Sequence, residues 1–123
     1  MAVPKPHDGP TAAKDRDWSW SANEAENTDA LLDQGGWQAM VEAHAWYDDA
    51  EGDPPDKKGA YKLPHHQVLD GKVRVVWRGV THAMNVLAGG RGGVDLPAKD
   101  KRAVYEHLAA HYRQFDEEPP EAP

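Results

Sequence analysis

The 123-residue chain has no cysteine. That excludes disulfides, thiolate nucleophiles and cysteine-ligated zinc, and it permits a reducing compartment. Serine is almost as scarce: Ser19 and Ser21 are the only ones, both in the polar stretch "DWSWSAN". No glycine-serine-glycine elbow exists, so a seryl nucleophile has no setting. No apolar run approaches the ~20 residues of a membrane-spanning helix. The opening "MAVPKPHDGP" has no apolar centre like that of a secretory leader, so the protein is expected to stay in the cytoplasm where it is made. Positive charge is in deficit, with 14 Lys and Arg against 21 Asp and Glu, a net charge of −7. This argues against binding nucleic acid, which needs phosphate neutralisation, and against an anionic membrane. A partner surface is expected to be neutral or basic.

What is abundant is punctuation: ten prolines and eleven glycines, which call for loops and extended arms. The length suits one small domain. The expected fold is mainly α with one small β-hairpin (α+β), a compact helical body with extended arms. Residues 1–27 read as an N-terminal arm with a short helix, in which Ser21 and Glu24 have the spacing of a capping box. Residues 28–115 read as the helical domain. Within it, "GWQAMVEAHAWYDD" is expected to be helical over about 36–48, because Trp37, Met40, Val41, His44 and Tyr47 recur at three and four. Trp46 falls off that stripe. "HQVLDGKVRVVW" reads as a hairpin at about 65–77, turning at Asp70-Gly71. A helix from near Arg78 carries Val80, Met84 and Leu87 and stops at the glycines from Gly89. A last helix follows Pro97, with Val104, Leu108 and His111 on one face. The acidic, proline-rich 116–123 is a tail.

Two features ask for a function. Trp18 and Trp20 are costly in a polar arm unless buried; they either fold back on the body, the commoner fate, or anchor a partner, and Tyr61 and Pro64 join them as candidate partner-binding residues. The second feature is histidine. His107 and His111, four apart in "EHLAAH", share a helix face as two zinc ligands would, and His65, His66 or His82 offers a third. Against a metalloprotease, Leu108 follows His107 where the catalytic glutamate would stand. These histidines are therefore expected to make structural hydrogen bonds, with no metal and no cofactor; His65, His107 and His111 remain the candidates should one bind. His65 and His66 are expected to point to opposite faces of an extended segment, not to converge with His107 and His111. The glycine-rich "AGGRGG" follows a helix and lacks the lysine of a phosphate loop, so it reads as a helix end and turn. Carboxylate pairs such as Asp48-Asp49 and Glu117-Glu118 read as solvated.

Taken in order, "DWSWSANEAEN", "AHAWYDD", "YKLPHHQVLDGKV", "WRGVTHAMNVLAGGRGGVDLPAKDKRAVYEHLAAHY" and "EEPP" resemble a small domain found among head-morphogenesis genes of tailed bacteriophages and prophages. It occurs there attached to, or near, prohead proteases and capsid components. The similarity covers roughly residues 17–120 and is most specific at Tyr61 to His65, Gly71 to Val73 and Arg91 to Pro97. It implies a virion-head setting and carries over no catalytic site. The expected function is that of a non-enzymatic minor capsid or decoration (cement) protein, located in the virion. It would bind the major capsid protein and stabilise the shell, with self-association there as a further possibility. The alternatives are a head-assembly adaptor or scaffold-like factor absent from the mature virion, and a small His-ligated zinc-binding module.

Overall fold

The computed structural model describes residues 3–4, 10–18, 20, 24–50, 52–89 and 93–122. Its elements are helix α1 (Glu24–Ala43), strand β1 (His44–Tyr47), a single 3-10 turn (Lys58–Ala60), β2 (Tyr61–Pro64), β3 (His66–Leu69), β4 (Lys72–Val75), α2 (Trp77–Leu87) and α3 (Ala98–Gln114). The fold is small and α+β, as the sequence suggests. The β content is larger than one hairpin: β1 pairs antiparallel with β2, and β3 with β4, in two separate two-stranded sheets.

α1 merges two sequence segments. It bends at Gly35 and Gly36, and Gly36 has φ +64°, so these glycines kink one helix and do not separate two. The expected helix over 36–48 stops early, at Ala43. His44 to Tyr47 leave it as β1, with His44 opposite Pro64 and Tyr47 opposite Tyr61. All four residues of β1 are buried. A strand can bury both of its faces, and this one contributes to two cores. Trp46 joins Val80, Val104 and Leu108 between α2 and α3, while Tyr47 joins Leu31, Met40, Trp20 and Tyr61 under α1. The Ser21 half of the expected capping box lies outside the described residues.

The Asp70-Gly71 turn forms where expected. Both residues have positive φ (+53° and +76°), as a two-residue type I′ turn requires. A Cβ on Gly71 would meet nothing within 4 Å, so Gly71→Ala tests backbone conformation alone. It should cost about 1 kcal/mol, read as a lower urea midpoint at unchanged slope; an unchanged midpoint would count against this turn.

α2 ends at Leu87 and passes to Gly89, which has φ +107°. α3 begins directly after Pro97, which occupies the N-cap instead of the first helical position. Both described arm segments lie on the body. Val75 N–H donates to Pro10 O (2.8 Å) and Ala12 N–H to Val75 O (2.9 Å), so residues 10–12 run parallel along the free edge of β4. Val3 is buried in the α2–α3 core. At the other end, Tyr105 Oη donates to Pro120 O (2.5 Å), and Lys14 pairs with Glu117, joining arm to tail.

Candidate functional site

His65 is the residue at which the chain changes sheets. Its N–H donates to Ala43 O (2.9 Å) beside β1, and its C=O accepts from Val76 N–H (3.0 Å) beside β4. Just before it, Leu63 has φ +63°, a left-handed conformation costing a non-glycine residue roughly 1–2 kcal/mol. A straight strand would send His65 and His66 to opposite faces. This bent crossover does not, and both are buried, at 0% and 3% exposure. The expectation of one inward and one outward ring is therefore wrong.

Both rings meet the histidines of α3. His107 and His111 lie one turn apart on its buried face, each at 0% exposure. His65 sits 5.0 Å from His107 and 4.9 Å from His111, ring centre to ring centre, and His66 sits 5.3 Å from His111. His65 and His66 are 4.6 Å apart. One ring nitrogen from each of His65, His107 and His111 lies within 4.8 Å of the others. The closest pair is His65 Nε2 and His107 Nε2, at 3.1 Å.

The far side of each of these three rings is held. His65 Nδ1–H donates to Leu63 O (3.0 Å), and His107 Nδ1–H donates to Pro4 O (3.0 Å). His111 Nδ1 is 3.0 Å from Gln114 Oε1. Pro4 thus brings the N-terminal arm to the cluster. Burial, and then the neighbouring His66, His107 and His111, hold His65 well below the usual histidine pKa, against the opposing pull of the Leu63 carbonyl.

The arrangement brings together the three candidate metal ligands of the sequence reading. His82 stays apart, partly exposed on α2. The spacing of His107 and His111 was visible in the sequence; the contribution of Pro4 O and the joint inward turn of His65 and His66 were not.

The candidate partner-binding residues also come together. Trp18, Trp20, Tyr61 and Pro64 line one open cleft, with His44, Leu63, His82 and Val86. Trp18 stacks on Trp20 at 5.5 Å, and Trp20 meets His44 edge-on at 5.7 Å. Trp20 and Tyr61 are buried, at 6% and 7% exposure, and form the floor. Trp18 is half-buried at the rim. Both tryptophans thus fold back onto the body. Tyr61 Oη is engaged by Pro55 O (2.7 Å), so Tyr61 offers the cleft its ring and not its hydroxyl. Lys58 and Lys62 stand at the edge.

No described helix is long and apolar enough to cross a membrane. Compared with known proteins, the chain matches no family model, no curated protein and no solved structure.

Proposed function

We propose that the chain is a non-enzymatic accessory protein of a tailed-phage head, a minor capsid or decoration protein that binds the major capsid shell and stabilises it. The observation that supports a binding role is the cleft: four residues singled out for partner binding, from two separate segments of the chain, line a single aromatic depression. Aromatic anchors in desolvated pockets supply most of the affinity at typical interfaces. The net charge of −7 suits a neutral or basic shell surface and steers the approach more than it adds affinity. The phage setting rests on the resemblance of the ordered motifs over roughly residues 17–120.

The test is protein analysis of purified particles from a lysate carrying this gene, with copy number per capsid. A stoichiometric band in mature virions is expected. A band in procapsids alone would make the chain an assembly adaptor, and absence from both would remove the head assignment. Trp18→Ala should weaken co-sedimentation with isolated shells by roughly 30-fold, the effect of losing a central aromatic anchor. Its circular dichroism should stay unchanged, because Trp18 sits at the rim. Undiminished shell binding would take the cleft out of the interface.

A further inference from the structure

We propose that His65, His107 and His111 together bind one divalent transition-metal ion, best matched by zinc, in a buried structural site. The proposal is independent of the phage assignment and concerns what holds the fold together.

Hydrogen-bond accounting supports it first. Leu63 O and Pro4 O are carbonyl oxygens and can only accept. The hydrogens of His65 and His107 are therefore on Nδ1, and each Nε2 presents a lone pair. Those two lone pairs face each other across 3.1 Å. Two neutral acceptors at that distance repel, and a metal ion bound by both would replace that repulsion with two bonds. A metal ion there would also be within reach of a nitrogen of His111, since one ligand atom from each of the three rings lies within 4.8 Å of the others.

The geometry agrees. Zinc bound by imidazole nitrogen at about 2.0–2.1 Å in a tetrahedron sets its ligand atoms roughly 3.4 Å apart. The 3.1 Å pair is close to that edge, and the full set lies within 4.8 Å, a spread that ring rotation on binding would have to draw in. The outer contacts are those of a metal site: each ligand ring is oriented through Nδ1 by a carbonyl or amide oxygen, from Leu63, Pro4 and Gln114. An all-imidazole donor set favours zinc, copper or nickel over magnesium or calcium.

The site is structural and not hydrolytic. All three ligands have 0% exposure, which leaves no path for a substrate, and Leu108 stands where a catalytic glutamate would follow His107. His66, 3% exposed, packs edge-on against His65 and His111 and walls the cluster on that side. The ion would then tie three distant parts of the chain: the sheet crossover at His65, helix α3, and through Pro4 O the N-terminal arm.

The experiment uses the full chain, free of any affinity tag, stripped with chelator and dialysed. Zinc is titrated against a chromophoric competitor, and cobalt(II) serves as the spectroscopic probe. The expected results are one ion per chain and the intense visible band of tetrahedral cobalt. Gln114→Ala, which leaves all ligands in place, should weaken zinc binding by about 10- to 100-fold. His111→Gln should weaken it further, and His82→Ala not at all. Should His111→Gln fail to fold, the wild-type cobalt spectrum and Gln114→Ala still decide the matter. Absence of binding by the wild-type chain would overturn the proposal. Binding lost with His82→Ala, or untouched by both Gln114→Ala and His111→Gln, would equally overturn it.

Discussion

Acidification from pH 7 to pH 4 in the presence of chelator should remove at least 3 kcal/mol of folding stability, roughly the contribution of one histidine shifted by two to three pH units. His44 is the first cause. It is buried at 3% exposure, enclosed by Trp20 and Tyr61. Burial lowers its pKa from 6.5 to about 4, although its Nδ1–H bond to Met40 O (2.8 Å) pulls the other way. In the unfolded chain the ring titrates near 6.5. Between about pH 6.5 and pH 4 the unfolded state therefore binds a proton that the folded state refuses. The stabilisation is complete above 6.5 and disappears as the pH falls through the folded value. His65 acts with the same sign, since burial and its histidine neighbours hold it well below 6.5. Small domains are stable by only about 5–15 kcal/mol, so two such groups can take the chain to the edge of unfolding. Urea midpoints measured at pH 7, 6, 5 and 4 give the slope in protons. His44→Phe should flatten it by one proton. A midpoint constant down to pH 4.5 would mean that neither ring is buried neutral.

These buried histidines also mark the limit of what the sequence made legible. Local signals were reliable. Asp70-Gly71 turns because both residues take positive φ, α2 stops at the glycines because Gly89 leaves the helix, and Val104, Leu108 and His111 are buried because they fall on one helical face. The errors are non-local. "HAWY" continues a helical spacing by coincidence, and only its pairing with "YKLP", across the loop at 48–60, shows it to be a strand. The same pairing decides His65. Alternation along an extended segment holds for a straight strand in one sheet. It fails where the chain leaves one sheet for another with Leu63 in a left-handed conformation. His107 and His111 could be placed on one face from spacing alone, whereas Pro4 O could reach His107 only because the arm docks, and a polar segment rich in proline gives no sign of where it will lie.

Gly79 provides the sharpest test of how cleft and histidine cluster are joined. It lies in the first turn of α2, where a glycine ordinarily costs about 1 kcal/mol relative to alanine. Here the substitution should lose stability instead. A Cβ at this position would stand 3.0 Å from Trp18 Cδ2 and Cε3 and 3.1 Å from His65 Cα. The His65 backbone cannot easily retreat, because its N–H and C=O are both committed, to Ala43 and Val76. Trp18 is half-buried and must give way, leaving its stack on Trp20. Overpacking of this kind costs about 1–3 kcal/mol. Gly79→Ala, with its helical gain subtracted, should be about 1 kcal/mol less stable, and Gly79→Val, which adds two further methyl groups against the same ring, about 3 kcal/mol less stable. Both should shift tryptophan fluorescence to the red as Trp18 meets water. Both should weaken shell binding if Trp18 is an anchor, while zinc affinity stays within a few-fold, because the His65 backbone holds. A Gly79→Ala chain that gained the ordinary ~1 kcal/mol of a helical alanine would show that Trp18 does not lie against α2. Reduced zinc affinity would instead show that the crossover, and not the tryptophan, absorbs the added carbon.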